Sequence, residues 1–161
     1  MKSKLTVKEF RNKLKANTKI GSPRFKIPLG VLALFVYNPK YFYGSFSDSS
    51  FELTSNSNFS PPLYMLKGSY KSNGNELDIN YSVEPIGKLR IAWIKYFPII
   101  AFIMFNCIFY FQTDVPTFVY VLFNGAIILM SLFARWDMEW KKKKLERKFN
   151  DLFEIENPYK I

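Results

Sequence analysis

The sequence predicts an α+β membrane protein, built from a small antiparallel curved sheet with flanking helices and a two-helix transmembrane hairpin. Three observations carry this. Residues 91–134 are almost wholly apolar, between polar and basic stretches at 1–90 and 135–161. Leu77, Ile79, Tyr81 and Val83 alternate with Glu76, Asp78, Asn80, Ser82 and Glu84, the period of two of a strand with one wet face. Asn73-Gly74 precedes that strand, and a type I′ hairpin turn needs positive φ at both of its central residues.

The elements follow in chain order. Thr6 and Glu9 form a T-x-x-E capping box, the start signal of a helix over 6–17. Val7, Phe10 and Leu14 share one face of it, and Lys8, Arg11, Lys13 and Lys15 cover the rest. Such a helix either docks its three apolar residues on a domain or lies on a membrane surface, and its short length favours docking. The apolar run Ile27–Tyr37 has 11 residues, too few for a bilayer that needs about 20. It reads as a core strand, with an interfacial segment as the alternative. Tyr43–Ser47 and Phe51–Ser55 form one hairpin around Asp48-Ser49, and Leu63–Ser72 and Glu76–Glu84 a second. The two rhyme: Gly44-Ser45-Phe46 leads to Glu52-Leu53 as Gly68-Ser69-Tyr70 leads to Glu76-Leu77. Glycine inside a strand marks a bulge or bend, so Gly44 and Gly68 are where the sheet is expected to curl toward a partial barrel.

Two spans, Ile91–Phe111 and Val115–Ala134, suit a hydrocarbon core about 30 Å thick. Gln112-Thr113-Asp114 joins them, too short for anything but an antiparallel hairpin, and Pro116 starts the second helix. Trp93, Tyr96, Tyr110 and Trp136 fall near the expected interfaces. Asn106, Asn124 and Ser131 are the polar groups expected at helix–helix contacts. From the turn, Asn106 lies about 9 Å and Asn124 about 15 Å along its helix, an offset that argues against a direct pair. The domains are then a β-rich module over 1–90, the hairpin over 91–134 and a basic amphipathic helix over 135–161. That helix carries the stripe Met138, Leu145, Phe149, Leu152 and Phe153, which needs the sheet as a partner.

Charge sets orientation and partners. The chain has 23 Lys and Arg against 13 Asp and Glu, a net charge of +10. Lys88, Arg90 and Lys95 flank one end of the apolar block, and Arg135, Lys141, Lys142, Lys143 and Lys144 the other, while the turn has no cation. The positive-inside rule places both termini in the cytoplasm, at the cytoplasmic (inner or plasma) membrane. These eight cations are the expected contacts to anionic headgroups. A protein partner or a homo-oligomer is compatible with the hairpin, whereas nucleic acid binding has no motif behind it.

Several chemistries lose their residues. Histidine is absent and Cys107 is the single cysteine, which removes the commonest metal ligand and general base and any internal disulfide. The N-terminal stretch lacks the apolar core of a signal peptide. Neither a phosphate loop nor a nucleophile elbow is present. No charge lies at mid-bilayer, where an ion pathway usually needs one. No cofactor, metal or catalytic set is therefore expected. Glu76, Asp78 and Glu84 share a wet face, and ordinary strand alternation explains them better than acid–base work.

The pattern Gly44-Ser45-Phe46, Phe51-Glu52-Leu53, Phe59-Ser60-Pro61, Gly68-Ser69-Tyr70, Leu77–Val83 and Trp93 resembles a family of small, uncharacterised bacterial membrane proteins with a β-rich module and a transmembrane hairpin. It covers about a third of the chain and departs from the family at Glu84–Arg90. The resemblance implies this architecture and no activity. The functional expectation is a membrane-anchored, non-enzymatic binding or scaffold module presenting its sheet at the cytoplasmic membrane face. The alternatives are an accessory or immunity-like subunit acting through the hairpin, and a lipid-acting enzyme using interfacial carboxylates.

Overall fold

The computed structural model describes residues 1–25, 40–57, 61–73, 76–111 and 116–156. The chain divides into two compact units, Met1–Ile86 with Lys141 onward, and Gly87–Trp140.

The first unit is a six-stranded sheet with helices on one face. In chain order it holds β1 (Lys2–Ser3), α1 (Val7–Asn17), β2 (Thr18–Ile20), a 3₁₀ turn at Pro23–Phe25, β3 (Phe42–Phe46), β4 (Ser50–Ser55), β5 (Tyr64–Asn73) and β6 (Glu76–Pro85). The strands lie in the order β1-β6-β5-β4-β3-β2. The two expected hairpins are present, β3 with β4 and β5 with β6, and β4 joins β5 to make one antiparallel meander. Asn73 pairs with Glu76, while Gly74, like the run Ile27–Tyr37 and Phe59-Ser60, lies outside the described residues.

Two expectations about the sheet are corrected. It is mixed rather than antiparallel, because β2 leaves α1 and pairs parallel to β3 through Thr18–Phe42, Lys19–Tyr43 and Ile20–Gly44. Parallel neighbours cannot be joined by a tight hairpin, and the paired residues here stand 24 positions apart in sequence, as Thr18 and Phe42 do. It is also open and uncurled, with β1 and β2 at opposite edges. Gly44 and Gly68 serve close approach instead of curling. A Cβ at Gly44 would stand 2.0 Å from the Glu52 carbonyl oxygen, and one at Gly68 would stand 2.6 Å from that of Asn80.

Register puts Phe42, Phe46, Phe51, Leu53, Leu66, Tyr70, Leu77 and Ile79 on one face, and α1 covers it. The helix starts as the capping box dictates: Thr6 Oγ1 accepts the Glu9 N–H, and the Glu9 carboxylate accepts the Thr6 N–H at 2.8 Å. The bond from the Thr6 N–H, with a second from the Thr6 hydroxyl at 2.8 Å, holds the Glu9 carboxyl below its ordinary range. Phe10 and Leu14 are fully buried in the core, so α1 docks on the sheet.

The other cover comes from the C-terminal end of α3, a single helix over Thr117–Leu152. Leu145, Phe149 and Phe153 are buried with the sheet residues and α1. Phe153 stands 4.6 Å from the Phe10 ring and Phe149 5.1 Å from Phe51, between ring centroids. The chain then turns at Glu154, whose φ of 52° is left-handed. The Ile155 N–H closes back onto the Asn150 carbonyl, as in a Schellman cap. Lys13 Nζ holds that turn, donating to Glu154 Oε1 at 2.6 Å and to the Leu152 carbonyl at 3.2 Å. Ile155 bridges to Ser3, and Ser3 Oγ donates to the Phe153 carbonyl.

Two outcomes test this core. Phe149→Ala removes a ring shared by helix and sheet and is expected to cost about 3–5 kcal/mol in denaturant unfolding of the detergent-solubilised chain. Tyr81 is the second probe. Its hydroxyl donates to Asn150 Oδ1 at 2.7 Å. Burial, aided by the nearby Glu146 carboxylate, raises its phenol from 10 to about 12. A raised folded value favours the neutral form, so its contribution is complete below pH 10 and is lost between pH 10 and about 12. Tyr81→Phe is expected to flatten that limb of the stability–pH curve.

Candidate functional site

The second unit is a pair of apolar helices. Helix α2 runs Lys88–Phe111, starting about one turn before the expected Ile91, and α3 enters from Thr117. The expected turn Gln112–Asp114 lies outside the described residues. At 1.5 Å per residue the 24 residues of α2 measure about 36 Å. Both helices are long and apolar enough to cross a membrane, and none of their most apolar stretch is buried within the chain. Trp93, Tyr110, Phe111, Leu129 and Phe133 are all exposed. Pro98 sits inside α2, where it removes the N–H that would bond the Ile94 carbonyl.

One seam of the pair is closed by aromatic rings. Phe105 and Phe109 of α2 meet Phe123 of α3 at 5.7 and 5.8 Å, and Phe109 also meets Tyr120 at 5.9 Å. Beside them, Asn106 and Asn124 bond each other. Asn106 Nδ2 donates to Asn124 Oδ1 at 2.7 Å, and Asn124 Nδ2 donates to Asn106 Oδ1 at 3.3 Å. Asn106 Nδ2 also donates to the Phe102 carbonyl at 2.7 Å, and the Tyr120 hydroxyl donates to Asn106 Oδ1. The expected offset between the two amides is halved because α3 starts at Thr117 rather than Val115. Counted from the helix ends, Asn106 lies about 7.5 Å in and Asn124 about 10.5 Å in, within side-chain reach.

The expected cations are spread along the chain. Lys88 and Arg90 are exposed in the first turn of α2, and Lys95 lies over the Tyr96 ring at 5.3 Å. Arg135 is exposed on α3; Lys141 and Lys142 are half-buried, and Lys143 and Lys144 are exposed. Ser131 is half-buried, two turns beyond Asn124 on the same helix. Of the expected positions, Asn106 and Asn124 are brought together by side-chain hydrogen bonds. Tyr120 was missed. The available signal was its position four residues before Asn124, on the same helix face.

The three carboxylates on the wet face of β6 each hold a separate partner. Glu76 pairs with Lys2 at 2.6 Å, Asp78 accepts from Asn73 at 2.8 Å and Glu84 accepts from Ser82 at 3.0 Å. The Glu76 contact raises the Lys2 ammonium above its ordinary value. Glu84 stands roughly 20 Å along the strand from Asp78, too far to share a proton with it. Among the described residues no group of three or more Cys, Asp and Glu side chains is placed to hold a metal ion.

Comparison with known proteins adds no relative: no family model, curated protein or solved structure matches the chain.

Asn106→Leu removes four hydrogen bonds at once and strands Asn124 and Tyr120. It is expected to destabilise the helix pair by about 1 kcal/mol, read as a lower melting temperature in detergent, with the sheet unit's own transition unchanged.

Proposed function

We propose that the chain is anchored in the cytoplasmic membrane by α2 and the apolar part of α3, and works there as a non-enzymatic binding or scaffold module that presents its sheet at the cytoplasmic face. The observation that carries this reading is the shared core of the first unit. Residues before the apolar pair (Phe10, Phe42, Phe51) and after it (Phe149, Phe153) pack together. A water-facing unit built from both flanks requires the chain to return to the side it left. Two crossings do that, and one or three do not.

Physical chemistry supports the rest. Unburied apolar faces along two helices of this length need a non-aqueous surrounding. The cations Lys88, Arg90, Lys95, Arg135 and Lys141–Lys144 lie where the chain enters α2 and leaves the apolar part of α3, and the connection between the helices has none, an asymmetry that favours both flanks on the inner side. Against an anionic leaflet each near-surface cation contributes about 1 kcal/mol. Membership of the bacterial membrane-protein family that the motifs resemble belongs to the same proposal. The accessory-subunit reading takes second place. It needs the hairpin amides to reach another chain, and Asn106 uses its full hydrogen-bonding capacity on Asn124, Tyr120 and Phe102.

Single-cysteine labelling tests the topology. In a Cys107→Ser background, Thr113→Cys is expected to react with an impermeant maleimide from outside intact cells. Lys143→Cys is expected to react only after the membrane is opened. Labelling of both from the same side overturns the two-crossing reading. A hydrolase or transferase activity of the purified chain, lost in Asp78→Asn, overturns its non-enzymatic part.

A further inference from the structure

Helix α1 and the turn between β3 and β4 enclose a cleft of about 330 Å³, lined by Arg11, Lys15, Phe46, Ser47 and Asp48. That is the lower end of the size range of small-molecule sites. Arg11 and Lys15 lie four residues apart, on one side of the helix.

The guanidinium is fixed in place. Arg11 Nη2 donates to the Asp48 carbonyl at 2.6 Å and Nε to the Tyr70 hydroxyl at 3.3 Å. Tyr70 is in turn held, its hydroxyl donating to the Ser47 carbonyl at 2.7 Å and its ring buried in the core. The hydrogen bond to Tyr70 raises the Arg11 value above its ordinary one. Among the described residues the Arg11 Nη1 edge and the Lys15 ammonium have no partner. A guanidinium whose rotamer is already locked loses little entropy when it accepts an oxyanion in its open edge. Phe46, packed against the core, supplies an apolar wall.

Asp48 decides the class of ligand. Its carboxylate is 93% exposed and stands 3.4 Å from Arg11 Nη2, so a bare anion entering the cleft meets a negative charge at its mouth. A ligand with an ammonium a short link away from its anion meets that carboxylate favourably. Among the described residues the lining charges, two cations and one anion, complement a phosphate ester that carries one amine.

We propose that this cleft binds a phosphate ester joined through a short carbon link to an ammonium, with the phosphate on Arg11 and Lys15 and the ammonium on Asp48. The source of that group is a soluble phospho-amine or the headgroup of an amino-phospholipid. The site is formed within the first unit alone, so it stands or falls independently of the membrane anchor.

The probe is O-phosphoethanolamine, titrated by calorimetry into the full chain in nanodiscs of phosphatidylglycerol. Saturable binding is expected, weakened about tenfold in Lys15→Gln, whose exposed side chain leaves the circular dichroism spectrum unchanged. Asp48→Asn is expected to weaken phosphoethanolamine and to strengthen inorganic phosphate, a reversal that a merely structural role of Asp48 does not produce. Absence of saturation by about 10 mM, no effect of Lys15→Gln, or a change of the same sign for both ligands in Asp48→Asn overturns the proposal. Repeating the titration in phosphatidylethanolamine nanodiscs identifies the source: lost affinity there assigns the lipid headgroup, and equal affinity assigns a soluble ester.

Discussion

Phe149 and Phe153 lie near the end of a 36-residue helix whose first half is apolar, yet their rings pack on Phe10, Phe42 and Phe51 from the first third of the chain. This aromatic contact is the constraint from which the rest follows. Without it the sheet face that carries Phe42, Phe51, Leu77 and Ile79 keeps only α1 as cover, and a sheet with one bare apolar face does not persist in water. With it, residues 87–140 become an insertion whose two ends must both return to one unit.

The contact is reinforced where it closes. Glu154 takes a left-handed backbone that a non-glycine residue adopts at a cost of about 1–2 kcal/mol. The Lys13 ammonium against its carboxylate, the Ile155 bridge to Ser3 and the Ser3 bond to the Phe153 carbonyl offset it. The N-terminal segment and the end of α3 are thus joined by backbone, side-chain and ion-pair contacts at one place. The same economy marks the helix pair, where two amides and one phenol satisfy each other among phenylalanine rings.

Local pattern made much of this legible. The Thr6–Glu9 capping box, the alternation of Leu77–Val83 and the apolar blocks depend on neighbours within a few residues, and those signals survive in any single sequence. The edge strands were not legible: β1 has two residues and β2 three, too short for periodicity. The parallel pairing of β2 with β3 joins residues 24 positions apart in sequence, which no local signal encodes. Glycine was read as a bend, whereas the cross-strand carbonyls of Glu52 and Asn80 show it as close approach. Tyr120 and the Arg11–Tyr70–Ser47 chain were missed for the same reason, since each joins residues whose proximity only the fold creates.

Zero-length carbodiimide coupling in native membranes, read by mass spectrometry, tests the central claim most directly. Lys13 Nζ and Glu154 Oε1 stand 2.6 Å apart across the aromatic closure, and they lie on opposite sides of the apolar pair in sequence. Membranes stripped with alkaline carbonate are expected to retain the chain and to yield the Lys13–Glu154 isopeptide within one molecule. Release of the chain into the wash, or retained chain in which Lys13 and Glu154 couple to other residues but never to each other, would contradict the account.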